Sequence, residues 1–203
     1  MRIEFKLIID HVDKTISIKI VYYGPAFSGK TTSIKALFFH LGKGEDLYSI
    51  ESTVNRTLFF DYGTVTFQNE EWQLKIHIYT TTGQDFYIIT RPITLRAVDG
   101  IIFVLDSHKE VYHRNLASWK ELFKYFQESI EDIPIILAFN KQDLLDKFNP
   151  TEFLREIDYH KYKNIDSRYT AAINGNGILE CFEDILKLIL GKYYKYKLLS
   201  AIT

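Results

Sequence analysis

The decisive stretch is Ile16-Ser17-Ile18-Lys19-Ile20-Val21-Tyr22-Tyr23, running into Gly24-Pro25-Ala26-Phe27-Ser28-Gly29-Lys30-Thr31. The first half is rich in Ile and Val and reads as a strand. The second half fits G-x-x-x-x-G-K-[ST], and a helix from Thr31 to about Leu41 follows, stopped by Gly42 and Gly44. Glycines at these positions let the backbone curl until several N–H groups point inward, and the helix presents its positive end to the same point. A phosphate chain is the guest such a loop suits. Lys30 would then bridge β- and γ-phosphates and the Thr31 hydroxyl would ligate Mg²⁺. Gly24, Ala26, Phe27, Ser28, Gly29, Lys30, Thr31 and Thr32 are the residues expected around the phosphates.

Working outward, Ile3 to Ile9 forms a candidate hairpin arm turning at His11-Val12-Asp13-Lys14. Thr57 to Phe67 and Trp72 to Thr80 are β-rich runs joined by the polar turn Gln68-Asn69-Glu70-Glu71, and a helix is expected from about Asp85 to Arg96. Gly100 to Asp106 and Ile133 to Phe139 are continuous apolar runs, as strands covered on both faces should be. Between them Trp119, Leu122, Phe123, Phe126 and Ile130 recur at helical spacing. Near the end Ile178, Phe182, Ile185, Leu186 and Ile189 do the same. Strands alternating with helices imply a mainly parallel α/β sheet with helices on both faces and ligands at the C-terminal strand ends.

The composition bounds the function. The 203 residues are 46% hydrophobic with a net charge of -1, which suits one globular core and offers no broad basic surface for nucleic acid. Cys181 is the only cysteine, so no internal disulfide or thiolate metal site is expected, which fits a reducing cytoplasm. Neither a secretory h-region, nor a glycine after Met1, nor a prenylatable C-terminal cysteine is present, so no lipid anchor is expected.

Asn140-Lys141-Gln142-Asp143 directly follows the strand Ile135 to Phe139, at the sheet edge that carries the phosphate loop. A carboxylate such as Asp143 can accept hydrogen bonds from guanine N1–H and the 2-amino group, a donor pair that adenine lacks. Here the chain resembles the Ras-like GTPases, whose N-K-x-D motif reads guanine. Thr170-Ala171-Ala172 is similar to their S-A-K loop without its lysine, where a backbone N–H meets the guanine carbonyl.

Asn55-Arg56-Thr57-Leu58-Phe59-Phe60-Asp61, Tyr79-Thr80-Thr81-Thr82-Gly83-Gln84 and Lys19 to Pro25 resemble MglA, a bacterial and archaeal branch of small GTPases, from about Lys19 to Leu190. The resemblance implies a P-loop G domain over residues 16–190, with residues 1–15 as a β arm and 191–203 as a tail. It implies a cytoplasmic GTP/GDP switch with Mg²⁺, an activating partner of Roadblock (MglB-like) type, and an effector the sequence does not name. Gln84 matches the water-orienting glutamine beside Gly83, and Arg56 an arginine finger supplied in cis, worth roughly 10³ to 10⁵ in rate. The usual D-x-x-G aspartate is replaced by Thr80, a substitution the MglA branch shares. Asp61, or water alone, is the expected replacement at the metal. Thr57 and Thr53 both stand as candidates to sense the γ-phosphate.

Ala26 departs from the family's glycine, and a methyl there would crowd the γ-phosphate, so slow turnover and a long-lived GTP state are expected. A guanine-nucleotide scaffold without hydrolysis is the competing reading. A P-loop kinase is disfavoured by the base-reading motif. The six histidines show no ligand spacing, and Cys181 falls on an apolar helix face. Lys192 to Lys197 mixes cations with tyrosines. It reads as a solvated helix end, with at most peripheral membrane contact.

Overall fold

The computed structural model describes residues 7–44, 47–51, 57–81 and 91–202. Its centre is β2 (Thr15–Tyr23), the strand that carries the phosphate loop. Parallel partners flank it: β5 (Gln73–Thr80) on one side and β6 (Gly100–Asp106) on the other, then β7 (Ile135–Asn140) and β8 (Ile165–Tyr169). Antiparallel β4 (Thr57–Gln68) and β3 (Leu47–Glu51) close one edge, giving the order β3-β4-β5-β2-β6-β7-β8. The short β1 (Ile8–Asp10) pairs antiparallel with the start of β2 through a turn at residues 11–14, where the Asp10 carboxylate accepts the Val12 and Asp13 N–H groups.

Alternation along β2 divides the interior in two. Ile18, Ile20 and Tyr22 face α1 (Lys30–His40) and α5 (Ile178–Ile202), packing with Ile34, Leu37, Phe38, Phe182 and Ile185. Val21 and Tyr23 face the opposite layer with α2 (Arg91–Leu95), α3 (Tyr112–Phe126) and α4 (Pro150–Glu156), where Phe103, Trp119, Phe139 and Phe153 form an aromatic cluster. Each such fully buried side chain is worth about 1.5–3 kcal/mol. Every residue of β6 and of β7 is buried, as their unbroken apolar runs require.

The elements differ from the sequence reading in four places. β3 was not anticipated, because a five-residue edge strand carries little periodic signal. Nor was α4, although Asn149 caps it by accepting the Thr151 N–H at 3.0 Å and Pro150 follows as its first residue. Helix α3 ends at Phe126, since Gln127 takes φ 53, and Ile130 lies in a following 3₁₀ stretch. Of the helix expected over 85–96, α2 is the part within the described residues. Helix α5 continues unbroken through residues 191–202, and among the described residues no helix is long and apolar enough to cross a membrane.

Asp99, just before β6, pins that strand to β2. Its carboxylate accepts the Lys19 N–H at 2.7 Å and its own N–H donates to the Lys19 carbonyl at 2.9 Å. Burial raises the Asp99 carboxyl to about 6, against the opposing Lys19 N–H and the charges of Lys19 and Lys192. Between about pH 4 and 6 the folded chain therefore holds a proton that the unfolded chain has released, and this group's contribution to stability falls as pH rises through that window. Denaturant unfolding of Asp99→Asn should show a pH 4.5 to pH 7 stability difference altered by up to about 2 kcal/mol relative to the parent. An unchanged difference would contradict the assignment.

Candidate nucleotide site

The phosphate loop is built on left-handed backbone. Gly24, Phe27 and Gly29 have φ of 143, 62 and 100. A side chain at Gly24 would place Cβ 2.3 Å from the Val104 carbonyl oxygen, and one at Gly29 would meet the Asn140 amide at 2.2 Å. Phe27 takes the same kind of conformation with its ring largely exposed, and Ala26 is half-buried. The Ser28 hydroxyl is fully buried and has no hydrogen-bond partner among the described residues. Gly29 caps α1, its carbonyl accepting both the N–H and the hydroxyl of Ser33. Thr32, the residue before Ser33, is exposed.

Lys30 is buried and reaches back over the loop, donating to the Gly24 and Pro25 carbonyls at 2.9 and 2.7 Å. Burial, then the Arg91 charge, lowers its ammonium to about 7 against the pull of Asp61. The Arg91 side chain is buried at the start of α2 and ion-paired with Glu121 on α3, and both charges act on the buried Tyr23 hydroxyl at the root of the loop. No sequence pattern announced this triad, since its members come from three separate elements.

Beside Lys30, Thr31 Oγ1 donates to Asp61 Oδ2 at 2.6 Å, and Thr80 Oγ1 donates to the same oxygen at 2.9 Å while accepting the Asp61 N–H at 2.7 Å. Asp61 and Thr80 are fully buried. The threonine that replaces the usual aspartate thus orients the carboxylate on the neighbouring strand. Hydroxyl and carboxylate oxygens are the donors that a hard cation such as Mg²⁺ takes, so this pair fits it. Thr57 opens β4. Gln84, Gly83, Arg56 and Thr53 lie outside the described residues.

Asn140 ties the site together. Its Nδ2 donates to the Ser28 carbonyl at 2.8 Å, and its Oδ1 accepts from the Ala172 N–H at 3.0 Å and the Thr170 hydroxyl at 3.2 Å. Three loops from separate strand ends meet on one amide. Lys141 follows with φ 64, and Asp143 is exposed beyond it. The N–H groups of Thr170 and Ala171 donate to the Phe139 and Asn176 carbonyls, so a base carbonyl at Ala171 would share an N–H that here closes on Asn176.

The profile of the Ras family matches residues 19–191 of this chain. The chain belongs to the Ras family. It is 31% identical to the mutual gliding-motility protein MglA of Myxococcus xanthus, over 92% of this chain and 97% of that protein. It is 24% identical to the Ras-related protein Rab-32C of Dictyostelium discoideum, covering 89% of this chain and 77% of that one. With the uncharacterized protein MJ1339 of Methanocaldococcus jannaschii it shares 29% over 66% and 75% of the two chains. As an MglA-like member of the Ras family it is a GTP-binding switch and a GTPase, and the non-hydrolysing scaffold is disfavoured. Its ligands are guanine nucleotides, and regulatory partners are part of how the Ras family works.

Proposed function

We propose that this protein is a slow, cytoplasmic GTPase switch that holds Mg²⁺ through Thr31 and Asp61, with Thr57 or Thr53 sensing the γ-phosphate, and that is accelerated by a Roadblock-type partner. The observation that carries the metal assignment is the convergence of the Thr31 and Thr80 hydroxyls on the buried Asp61 carboxylate. When bound, Mg²⁺ would neutralise charge on the β- and γ-phosphates. The chain's own groups do the rest. Lys30 and the loop amides bind the phosphates, Asn140 keeps that loop in register with the base loops, and Asp143 reads the base. Gln84 orients the attacking water and Arg56 offsets charge on the transferred phosphoryl oxygens. A Roadblock partner is proposed from the likeness to MglA. The single cysteine, Cys181, is a buried free thiol, as a reducing cytoplasm allows.

Calorimetry with GDP, GTP and ATP tests the binding half: guanine nucleotides should bind and ATP should not, and equal ATP affinity would end the base assignment. Single-turnover GTP hydrolysis tests the rest. It should be slow alone, faster with a Roadblock protein, and faster in Ala26→Gly without any partner. A variant no faster than the parent would remove the steric explanation, and a rate the partner leaves unchanged would remove the partner class.

A further inference from the structure

Lys141 leaves the end of β7 in a left-handed conformation and its side chain turns back toward β6, where its Nζ lies 2.6 Å from Asp106 Oδ2. Asp106 is the last residue of β6 and stands in register with Asn140, so the two ends are neighbours in the sheet. The Asp106 side chain is only 8% exposed, that of Lys141 32%. Every polar group of Asp106 is engaged. Its other carboxylate oxygen accepts the His108 N–H at 3.1 Å, and Asn115 on α3 brackets its backbone, accepting from the N–H at 3.0 Å and donating to the carbonyl at 2.8 Å. A second seam runs alongside: Gln142 Nε2 donates to Ser107 Oγ at 2.9 Å, and the Phe148 N–H to the Ser107 carbonyl at 3.0 Å.

A long cationic side chain on a strained backbone residue has many rotamers, and an ionised partner held on rigid backbone removes most of them before a ligand arrives. We infer that Asp106, fixed by Asn115, is a positioning residue for nucleotide retention: it holds the Lys141 stem along the base-binding edge without touching the nucleotide. The inference rests on the reading that guanine lies against the loop 140–143.

The test is release of a fluorescent N-methylanthraniloyl-GDP from the full chain, chased with excess GDP, in Asp106→Asn, Lys141→Gln and the double variant. Asp106→Asn should release the nucleotide about tenfold faster or more, as loss of a charge-assisted bond implies. Lys141→Gln should release at least as fast, and the double variant no faster than Lys141→Gln alone, because the carboxylate acts only through the lysine. Equal acceleration by Asp106→Asn with and without Lys141 would overturn the inference, and so would no acceleration in the presence of Lys141. Unchanged release in Lys141→Gln would overturn the base-site reading itself, which is a separate failure. If Asp106→Asn does not fold, Asp106→Glu, which keeps the charge but displaces it by one methylene, enters the same cycle with a smaller expected acceleration.

Discussion

Replacing Asp143 by asparagine is expected to lower GTP affinity about 10²- to 10⁴-fold, the loss of two charge-assisted hydrogen bonds. The same substitution should create affinity for xanthosine triphosphate. On the proposed reading the carboxylate accepts from guanine N1–H and the 2-amino group. An asparagine offers one acceptor and one donor, which mismatches guanine but suits xanthine, whose C2 bears a carbonyl. Asp143 is exposed on the loop after β7, so the exchange disturbs no packing and the effect should appear in binding while thermal stability stays within a few degrees. Calorimetry with GTP, xanthosine triphosphate and ATP reads it. A GTP affinity within threefold of the parent would mean that the base lies elsewhere.

Asp61→Asn should weaken Mg²⁺-dependent nucleotide binding about 10- to 100-fold, the range for disturbing a metal's protein ligands. Binding measured in EDTA should be unaffected. The carboxylate is fully buried, and its Oδ2 accepts two hydroxyl bonds, from Thr31 and Thr80. Asparagine keeps an oxygen acceptor but loses the charge that attracts a hard cation. Titrating Mg²⁺ against nucleotide release separates charge from packing: a packing defect would speed release in EDTA as well. If the Mg²⁺ midpoint does not move, water alone completes the metal shell and Asp61 is structural.

The two experiments bear unequally on sequence and structure. The motif Asn140-Lys141-Gln142-Asp143, on which the proposed role of Asp143 rests, is visible in the sequence because it is contiguous and directly follows an apolar strand. The same holds for Gly24 to Thr31, whose glycines and threonine do their work within eight consecutive residues. The hairpin turn at 68–71, strands β6 and β7, the apolar stripe of α5 and most of that of α3 were legible for a related reason, strand alternation and helical spacing being local periodicities; Phe123, expected in the α3 core stripe, is instead exposed, because it lies on the side of the helix turned away from the sheet. By contrast β3 and α4 are too short for periodicity to stand out, although the Asn149-Pro150 start signal was present to be read.

Asp61 marks the boundary. Resemblance nominated it, but only pairing of β4 with β5 brings it to the Thr80 hydroxyl, and only the docking of α1 adds Thr31. Asn140 belongs to the base motif in the sequence, and the fold additionally uses its amide to fasten Ser28, Thr170 and Ala172 together. The Arg91–Glu121–Tyr23 triad and the Asp106–Lys141 pair join residues dozens of positions apart, and nothing in their local spacing foretells them.

Residue order alone points to guanine nucleotides as the ligand class, because the motifs that carry the family resemblance are short segments whose backbone conformation and side-chain chemistry are set within a few residues. How those segments are held against one another, and which hydroxyls orient the Asp61 carboxylate, came only from the folded sheet. Such contacts depend on strand order and helix packing, which bring distant residues within hydrogen-bonding distance and leave no periodic trace along the chain.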